Sequence, residues 1–282
     1  MWFFRLTEQN KPDLITDFAP PPQPKYFQAM TLQALLFDVD GTLADTERDG
    51  HRPAFNAAFR EYGLDWDWDV TLYGKLLAIT GGKERMKHYV ETYRPDFTKP
   101  DDFDDLVAEL HKSKTHHYTA MLAEGNIPMR AGVKRLLEEA RSAGIRLAVA
   151  TTTTPDNVTA LLEHSLGKGS TDWFEVIAAG DIVPAKKPAP DIYVWALEQM
   201  KLAPEDCLAF EDSENGIRAS RGAGLRTLIT INDYTRGHDF SGAAVVLSDL
   251  GEPDAPATAL SGAWQGQGYV TLESLKALSS KF

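Results

Sequence analysis

Asp38 and Asp40 stand two residues apart, directly behind the apolar run Leu35-Leu36-Phe37 and just ahead of Gly41. Carboxylates at the end of a buried strand are costly unless a cation or a reaction requires them. There Asp38 can attack an electrophile or hold a metal, and Asp40 can move a proton close by. Three later segments place reactive groups in the same setting. Thr151-Thr152-Thr153-Thr154 follows an apolar run ending at Ala150, Lys186-Lys187-Pro188 follows residues 176–183, and Glu211-Asp212 follows residues 207–210. Phosphoryl transfer needs such groups, because its equatorial oxygens must be neutralised while attacking and leaving oxygens stay in line. Magnesium, a hard cation, takes oxygen ligands of this kind. Each segment alone has a plainer reading. The threonines end a strand and cap a helix, the lysines form a short solvated run, and Glu211-Asp212 precedes a helix beginning near Ser213. Joint placement at strand ends favours a site, since ligands of an open parallel sheet bind beyond the carboxyl ends of its strands.

A sheet must bring these ends together, and the pattern after Ile127-Pro128 supplies one. Helices are expected over 132–143, from Thr154-Pro155-Asp156 onward, over 190–200 and over 213–223. Apolar strands are expected at 145–150, 174–178, 207–210, 225–231 and 243–247. Strands alternating with helices imply a parallel sheet with right-handed crossovers. Between the first strand and this series, residues 46–123 read as amphipathic helices over 53–62, 81–93 and 101–122, the last opened by Pro100-Asp101. The expected fold is α/β: a doubly wound, Rossmann-like parallel sheet with an inserted all-helical cap domain. The expected division is a tail over 1–30, a catalytic core over 31–45 and 125–282, and a cap over 46–124. Residues 249–268 read as a loop, and 270–278 as a short closing helix.

An insert directly after the nucleophile loop is placed to fold over it, exclude water and contact substrate. Thr80-Gly81-Gly82-Lys83-Glu84-Arg85 combines close backbone approach, a helix amino terminus and two cations, which suits a second phosphate. Glu47 and His51 lie four apart and face one side of a turn, where Glu47 can accept bonds from sugar hydroxyls. His51 reads equally as a packing or surface residue. His88, His111, His116 and His117 read as solvated helix positions.

Composition narrows the function classes. The chain has 282 residues, 43% of them hydrophobic, and a formal net charge of -12. That field repels nucleic acid. The one cysteine, Cys207, excludes an internal disulfide and multi-cysteine zinc sites, and its apolar neighbours suit a buried, inert thiol. No apolar run nears the ~20 residues of a membrane helix. Met1-Trp2-Phe3-Phe4 is too short for a signal-peptide core, and Pro20-Pro21-Pro22 with Pro24 forms a stiff linker. The expectation is a soluble, cytoplasmic monomer without nucleic-acid or membrane partners.

The four segments resemble the four motifs of the haloacid dehalogenase superfamily, most of whose members are magnesium-dependent phosphatases. Phe37-Asp38-Val39-Asp40-Gly41-Thr42-Leu43-Ala44, Thr80 to Arg85, and residues 145–153 and 210–216 are similar to the CbbY-type sugar phosphatases. These are relatives of β-phosphoglucomutase that hydrolyse xylulose-1,5-bisphosphate, an inhibitory by-product of Rubisco in the Calvin cycle. The resemblance covers about residues 32–240. It implies Mg²⁺ held by the Asp38 carboxylate, the Asp40 carbonyl and Asp212, with Glu211 as a ligand or behind one. It also implies an aspartyl-phosphate on Asp38, acid–base work by Asp40, a phosphoryl oxygen bonded by Thr151, and Lys187 bridging nucleophile and phosphate. Its substrate contacts carry over onto Glu47, Gly81, Gly82, Lys83, Glu84, Arg85, Thr151, Thr152, Thr153, Thr154 and Lys187. The chain departs from the family by one extra residue between Glu47 and Phe55, which leaves the match of His51 open. It also carries a longer region after Asp239. A hexose-phosphate mutase, a phosphoglycolate-type monophosphate phosphatase and a catalytically silent sugar-phosphate binder remain alternatives on the same fold.

Overall fold

All four residues of β1 (Ala34–Phe37) are buried, as befits a central parallel strand covered by helices on both faces. The computed structural model describes residues 32–279 other than 80, 126, 263, 265 and 267. The expected tail over 1–30, and Thr80 of the glycine segment, therefore lie outside the described residues. β1 is followed by β2 (Arg146–Thr151), β3 (Val176–Ala179), β4 (Cys207–Glu211), β5 (Arg226–Thr230), β6 (Val245–Leu247) and β7 (Ala259–Gly262). The sheet order is β3-β2-β1-β4-β5-β6-β7. Pairing is parallel from β3 through β6, and β7 runs antiparallel to β6. The order reverses direction at β1, so a crevice opens above β1 and β4, where ligands of such sheets bind.

Side chains alternate across β1. Leu35 and Phe37 join an apolar layer with Leu136 of α5 (Val133–Ser142) and Leu161 of α6 (Pro155–Ser165). Ala34 and Leu36 join the opposite layer with Tyr193 and Ala196 of α7 (Asp191–Met200). Thr154 caps α6 by accepting from Asn157 N at 3.4 Å. Ser213 caps α8 (Glu214–Gly222) by accepting from Gly216 N at 3.1 Å. Leu275 and Leu278 of α9 (Leu272–Ser279) return to the first layer.

One strand departs from the sequence reading. The region 249–268 is not wholly loop, because it contains β7 and so makes the sheet mixed rather than purely parallel. All four residues of β7 are exposed, so no apolar alternation marked it.

Between β1 and β2 lie α1 (Arg52–Glu61), α2 (Val70–Leu76), α3 (Gly82–Tyr93) and α4 (Phe103–Ala123). α2 was not expected. It is short, and Asp69 starts it by accepting from Leu72 N at 2.7 Å. The insert has its own apolar cluster, built on Phe55, Phe59, Trp66, Trp68 and Tyr73. The chain leaves and re-enters the sheet domain side by side, with Ala44 bridged to Met129 and Arg130 N bonded to Leu43 O at 2.9 Å. Among the described residues no helix is long and apolar enough to cross a membrane.

Candidate active site

β1 and β4 lie side by side with Phe37 opposite Phe210, so Asp38 and Glu211-Asp212 emerge together. One carboxylate oxygen from each of Asp38, Glu211 and Asp212 lies within 4.8 Å of the others. Lys187 Nζ donates to Asp38 Oδ1 and to Glu211 Oε1, at 2.6 Å each. Tyr193 OH donates to the same Glu211 oxygen at 2.5 Å, and Asn232 Nδ2 donates to Asp212 Oδ2 at 2.6 Å. Two glycines make room for this density of carboxylates. A Cβ at Gly41 (φ 83°) would overlap Asp212, and one at Gly216 would overlap Glu211.

Three buried carboxylates face one lysine, so negative charge is left over. Burial, reinforced by Glu211 and Asp40, pushes the Asp38 carboxyl up to about 7 against the pull of Lys187. Burial and the charges of Asp38 and Glu211 push Asp212 well up. Burial opposes the charge on Lys187, yet Asp38 and Glu211 outweigh it and raise the ammonium above its usual range. Glu211 Oε2 is buried without a partner. An all-oxygen donor set with surplus charge and an orphaned oxygen fits a hard divalent cation such as Mg²⁺.

The Asp40 carboxylate belongs to a different network. Thr46 Oγ1 donates to Asp40 Oδ1 at 2.6 Å, and His51 Nε2 stands 3.3 Å from the same oxygen. Behind His51, Lys114 Nζ lies 2.8 Å from Nδ1. A charged Lys114 donates to Nδ1 and leaves the Nε2 hydrogen for Asp40. Burial raises Asp40, but hydrogen bonds from His51 and Thr46, with the charge of Lys114, hold it below the ordinary carboxylate range. Burial in turn draws Lys114 down to about 8, against the charges of Glu47 and Asp40. His51 is thus neither a surface nor a passive packing residue. Glu47–His51 form a turn of π-helix, a local form often found at functional sites.

A single cavity of about 750 Å³ joins these groups to the insert, a size suited to a small-molecule ligand. Asp38, Asp40, Lys187, Glu211 and Asp212 line it from the ends of β1 and β4 and the loop before α7, while Glu47 and Gly81, Gly82, Lys83, Glu84 and Arg85 line it from the insert. Thr152, Thr153 and Thr154 also line it. Thr151 is buried, and its hydroxyl accepts from Thr153 N at 3.3 Å. Lys83 and Glu84 are exposed in the first turn of α3, whereas Arg85 is buried. Arg85 Nη1 donates to Tyr73 OH at 2.9 Å, and Tyr73 OH donates to Glu47 Oε2. One phenol therefore bonds both Glu47 and Arg85.

One histidine reading is corrected. His111 is half-buried and lines the cavity, against Gly82, where a Cβ would come 2.8 Å from its Cδ2. Burial and the charges of Lys114 and Lys83 push it down to about 4, which keeps it neutral. Thr46, Tyr73, Lys114, Arg130, Tyr193 and Asn232 join the site without having stood out in the sequence. Arg130 holds Asp45 at 3.2 Å, and its guanidinium donates to the carbonyls of Gly41, Thr230, Ile231 and Ser248. It ties the loop after β1 to the ends of β5 and β6. Asn232 had a usable signal, since it lies just past a fifth apolar strand end.

The sequence matches the haloacid dehalogenase-like hydrolase family over residues 32–224. It is 47% identical over 225 residues to protein CbbY of Cupriavidus necator, covering 80% of this chain and 88% of that one. It is 50% identical over 221 residues to protein CbbY of Rhodobacter capsulatus, covering 78% and 95%. Among solved structures it resembles CbbY from Rhodobacter sphaeroides in complex with phosphate, with TM-score 0.71, 46% identity, and coverage of 78% and 95%. A mutant of that protein in complex with xylulose-(1,5)bisphosphate matches with TM-score 0.70 at the same identity, covering 78% of this chain and 95% of that one.

Proposed function

The chain belongs to the haloacid dehalogenase-like hydrolases, and from that premise we propose that this phosphatase is magnesium-dependent and hydrolyses xylulose-1,5-bisphosphate through an aspartyl-phosphate on Asp38. The observation that carries the reading is the single cavity running from the Asp38–Lys187–Asp212 group to Lys83 and Arg85. Cations from both sides of its lining, Lys187 and the pair Lys83 and Arg85, suit a substrate with two phosphates and hydroxyls between them. The complex of the 46% identical relative with xylulose-(1,5)bisphosphate supports the same choice.

Asp38 attacks phosphorus, and the departing sugar oxygen takes a proton from Asp40. Water then attacks the aspartyl-phosphate and gives a proton back to Asp40, which frees phosphate and restores the Asp38 carboxylate. Asp38, Asp212 and the Asp40 carbonyl would hold Mg²⁺, with Glu211 beside them. That cation supplies charge neutralisation for phosphoryl oxygens and for the acidic cluster. Lys187 holds the nucleophile in place and offsets charge on the phosphate, assisted by the Thr151–Thr154 turn. In the arrangement seen, Asp40 is ionised and set to accept a proton. Donation therefore requires that it be charged with one as substrate enters the cavity. The insert acts as the cap, with Glu47 binding hydroxyls and Lys83 and Arg85 binding the second phosphate.

The test is a phosphate-release screen over mono- and bisphosphorylated sugars, with isomer formation followed alongside. Xylulose-1,5-bisphosphate should give the highest kcat/KM, chelation should silence the enzyme, and magnesium should restore it. Isomer without phosphate release would replace the phosphatase by a mutase, and equal turnover of monophosphates would remove the bisphosphate assignment.

A further inference from the structure

Tyr234 stands in the loop after β5, in the sheet domain, yet it packs into the apolar cluster of the insert. Every other member of that cluster among the described residues lies between Phe55 and Leu110. Its ring meets the Tyr73 ring edge-on, with centroids 5.8 Å apart at 69°. It also lies against Gly74, where a Cβ would come 3.1 Å from Tyr234 Cδ1. Glycine at that position lets the loop seat against α2.

The same loop reaches the acidic cluster. Tyr234 N donates to Asn232 Oδ1 at 2.9 Å, and Asn232 Nδ2 donates to Asp212 at 2.6 Å. At the far side, Tyr73 OH bonds both Glu47 and Arg85. A short chain of contacts therefore runs from Asp212 through Asn232 and Tyr234 to Tyr73 and the two side chains of the distal subsite. Arg48 adds a half-exposed ion pair to Asp233 at 3.2 Å, but an exposed pair contributes little. The aromatic contact is the desolvated part of this seam.

We infer that Tyr234 is a specificity-determining positioning residue, which docks the insert in the register that sets Tyr73, Glu47 and Arg85 over the phosphoryl site. It contacts neither the reacting phosphorus nor its nucleophile. A substrate that fills the distal subsite draws on this docking, whereas a small phosphomonoester confined to the Asp38 end does not. The inference rests on the proposed two-phosphate substrate.

The experiment compares kcat/KM for xylulose-1,5-bisphosphate and for p-nitrophenyl phosphate in Tyr234→Ala, Tyr234→Phe and Arg85→Ala. Tyr234→Ala should lower the bisphosphate-to-aryl selectivity ratio about two- to tenfold, the weight of one well-packed aromatic pair. Tyr234→Phe keeps the ring and should restore the ratio. Equal loss on both substrates would make Tyr234 a merely structural residue, and no change on either would remove its role. Arg85→Ala separates the two possible failures. Selectivity lost there and kept in Tyr234→Ala overturns the docking role alone. Selectivity kept in both variants overturns the substrate reading and the docking role with it.

Discussion

Replacing Lys187 by Met keeps its length and removes the one cation 2.6 Å from both Asp38 and Glu211. Both partners are buried, so the variant leaves carboxylates uncompensated, a change that costs about 3–5 kcal/mol. At roughly 2–4 °C per kcal/mol for a chain of this size, Tm should fall by roughly 6–20 °C in metal-free protein. The fall must depend on pH. Burial and neighbouring charge already hold Asp38 up at about 7, above the ~3.9 of an unfolded carboxyl. The metal-free native state therefore keeps a proton that the unfolded chain releases, and its stability is lost as pH rises from about 4 through 7. Without Lys187 that carboxyl rises further, and the loss continues above pH 7. Wild type and variant should melt closest together at pH 5.5 and furthest apart at pH 8.5, read by calorimetry with a chelator present. Magnesium should restore more of Tm in the variant than in wild type, because it replaces the missing charge. Turnover with magnesium should still fall roughly 10²–10³-fold, the usual cost of losing a donor that neutralises transition-state charge. An equal Tm loss at both pH values, or none at either, would refute the view that Lys187 compensates the acidic cluster.

Asp38→Asn should abolish phosphate release yet raise metal-free Tm at pH 8, since it deletes one of the three crowded charges; full activity would exclude the nucleophile. Asp40→Asn should cut kcat about 10²–10⁴-fold, in the range of general acid–base catalysis, while magnesium binding by titration calorimetry stays close to wild type. Lys114→Met should remove an inflection near pH 8 from the kcat/KM profile. Lys114 is drawn down to about 8, so above that pH Asp40 loses a neighbouring charge that holds it ionised; an unaltered profile would detach Lys114 from the reaction. Gly216→Ala should lower both Tm and turnover, because its Cβ meets the Glu211 carboxylate pinned by Lys187 and Tyr193, and such overpacking costs about 1–3 kcal/mol.

Which parts of this site could be read in the sequence follows from how each residue is held. Asp38 and Glu211-Asp212 were legible because a charge just past a continuous apolar strand is too costly to sit there without a ligand or a reaction, and parallel pairing of β1 with β4 forces the two ends together. The sheet was legible up to β6 because its strands are continuous apolar runs. β7 was not, since an edge strand exposed at every position has no period to detect. Lys114 was illegible because it lies 63 residues from His51, on a helix whose stripe shows which face is buried but not what that face meets. Arg130 was illegible for a different reason: it grips main-chain carbonyls, and a carbonyl has no residue type to advertise it. His51 is the instructive middle case. Its spacing from Glu47 left its role open in the sequence; the π turn over Glu47–His51 places its ring beside Asp40. Residues that bear the chemistry are thus announced by the cost of burying them. Those that set proton affinity and cap register are visible only once packing brings distant segments into contact, so substitutions at Lys114, Tyr234 and Arg130 should separate enzymes that share all four strand-end motifs.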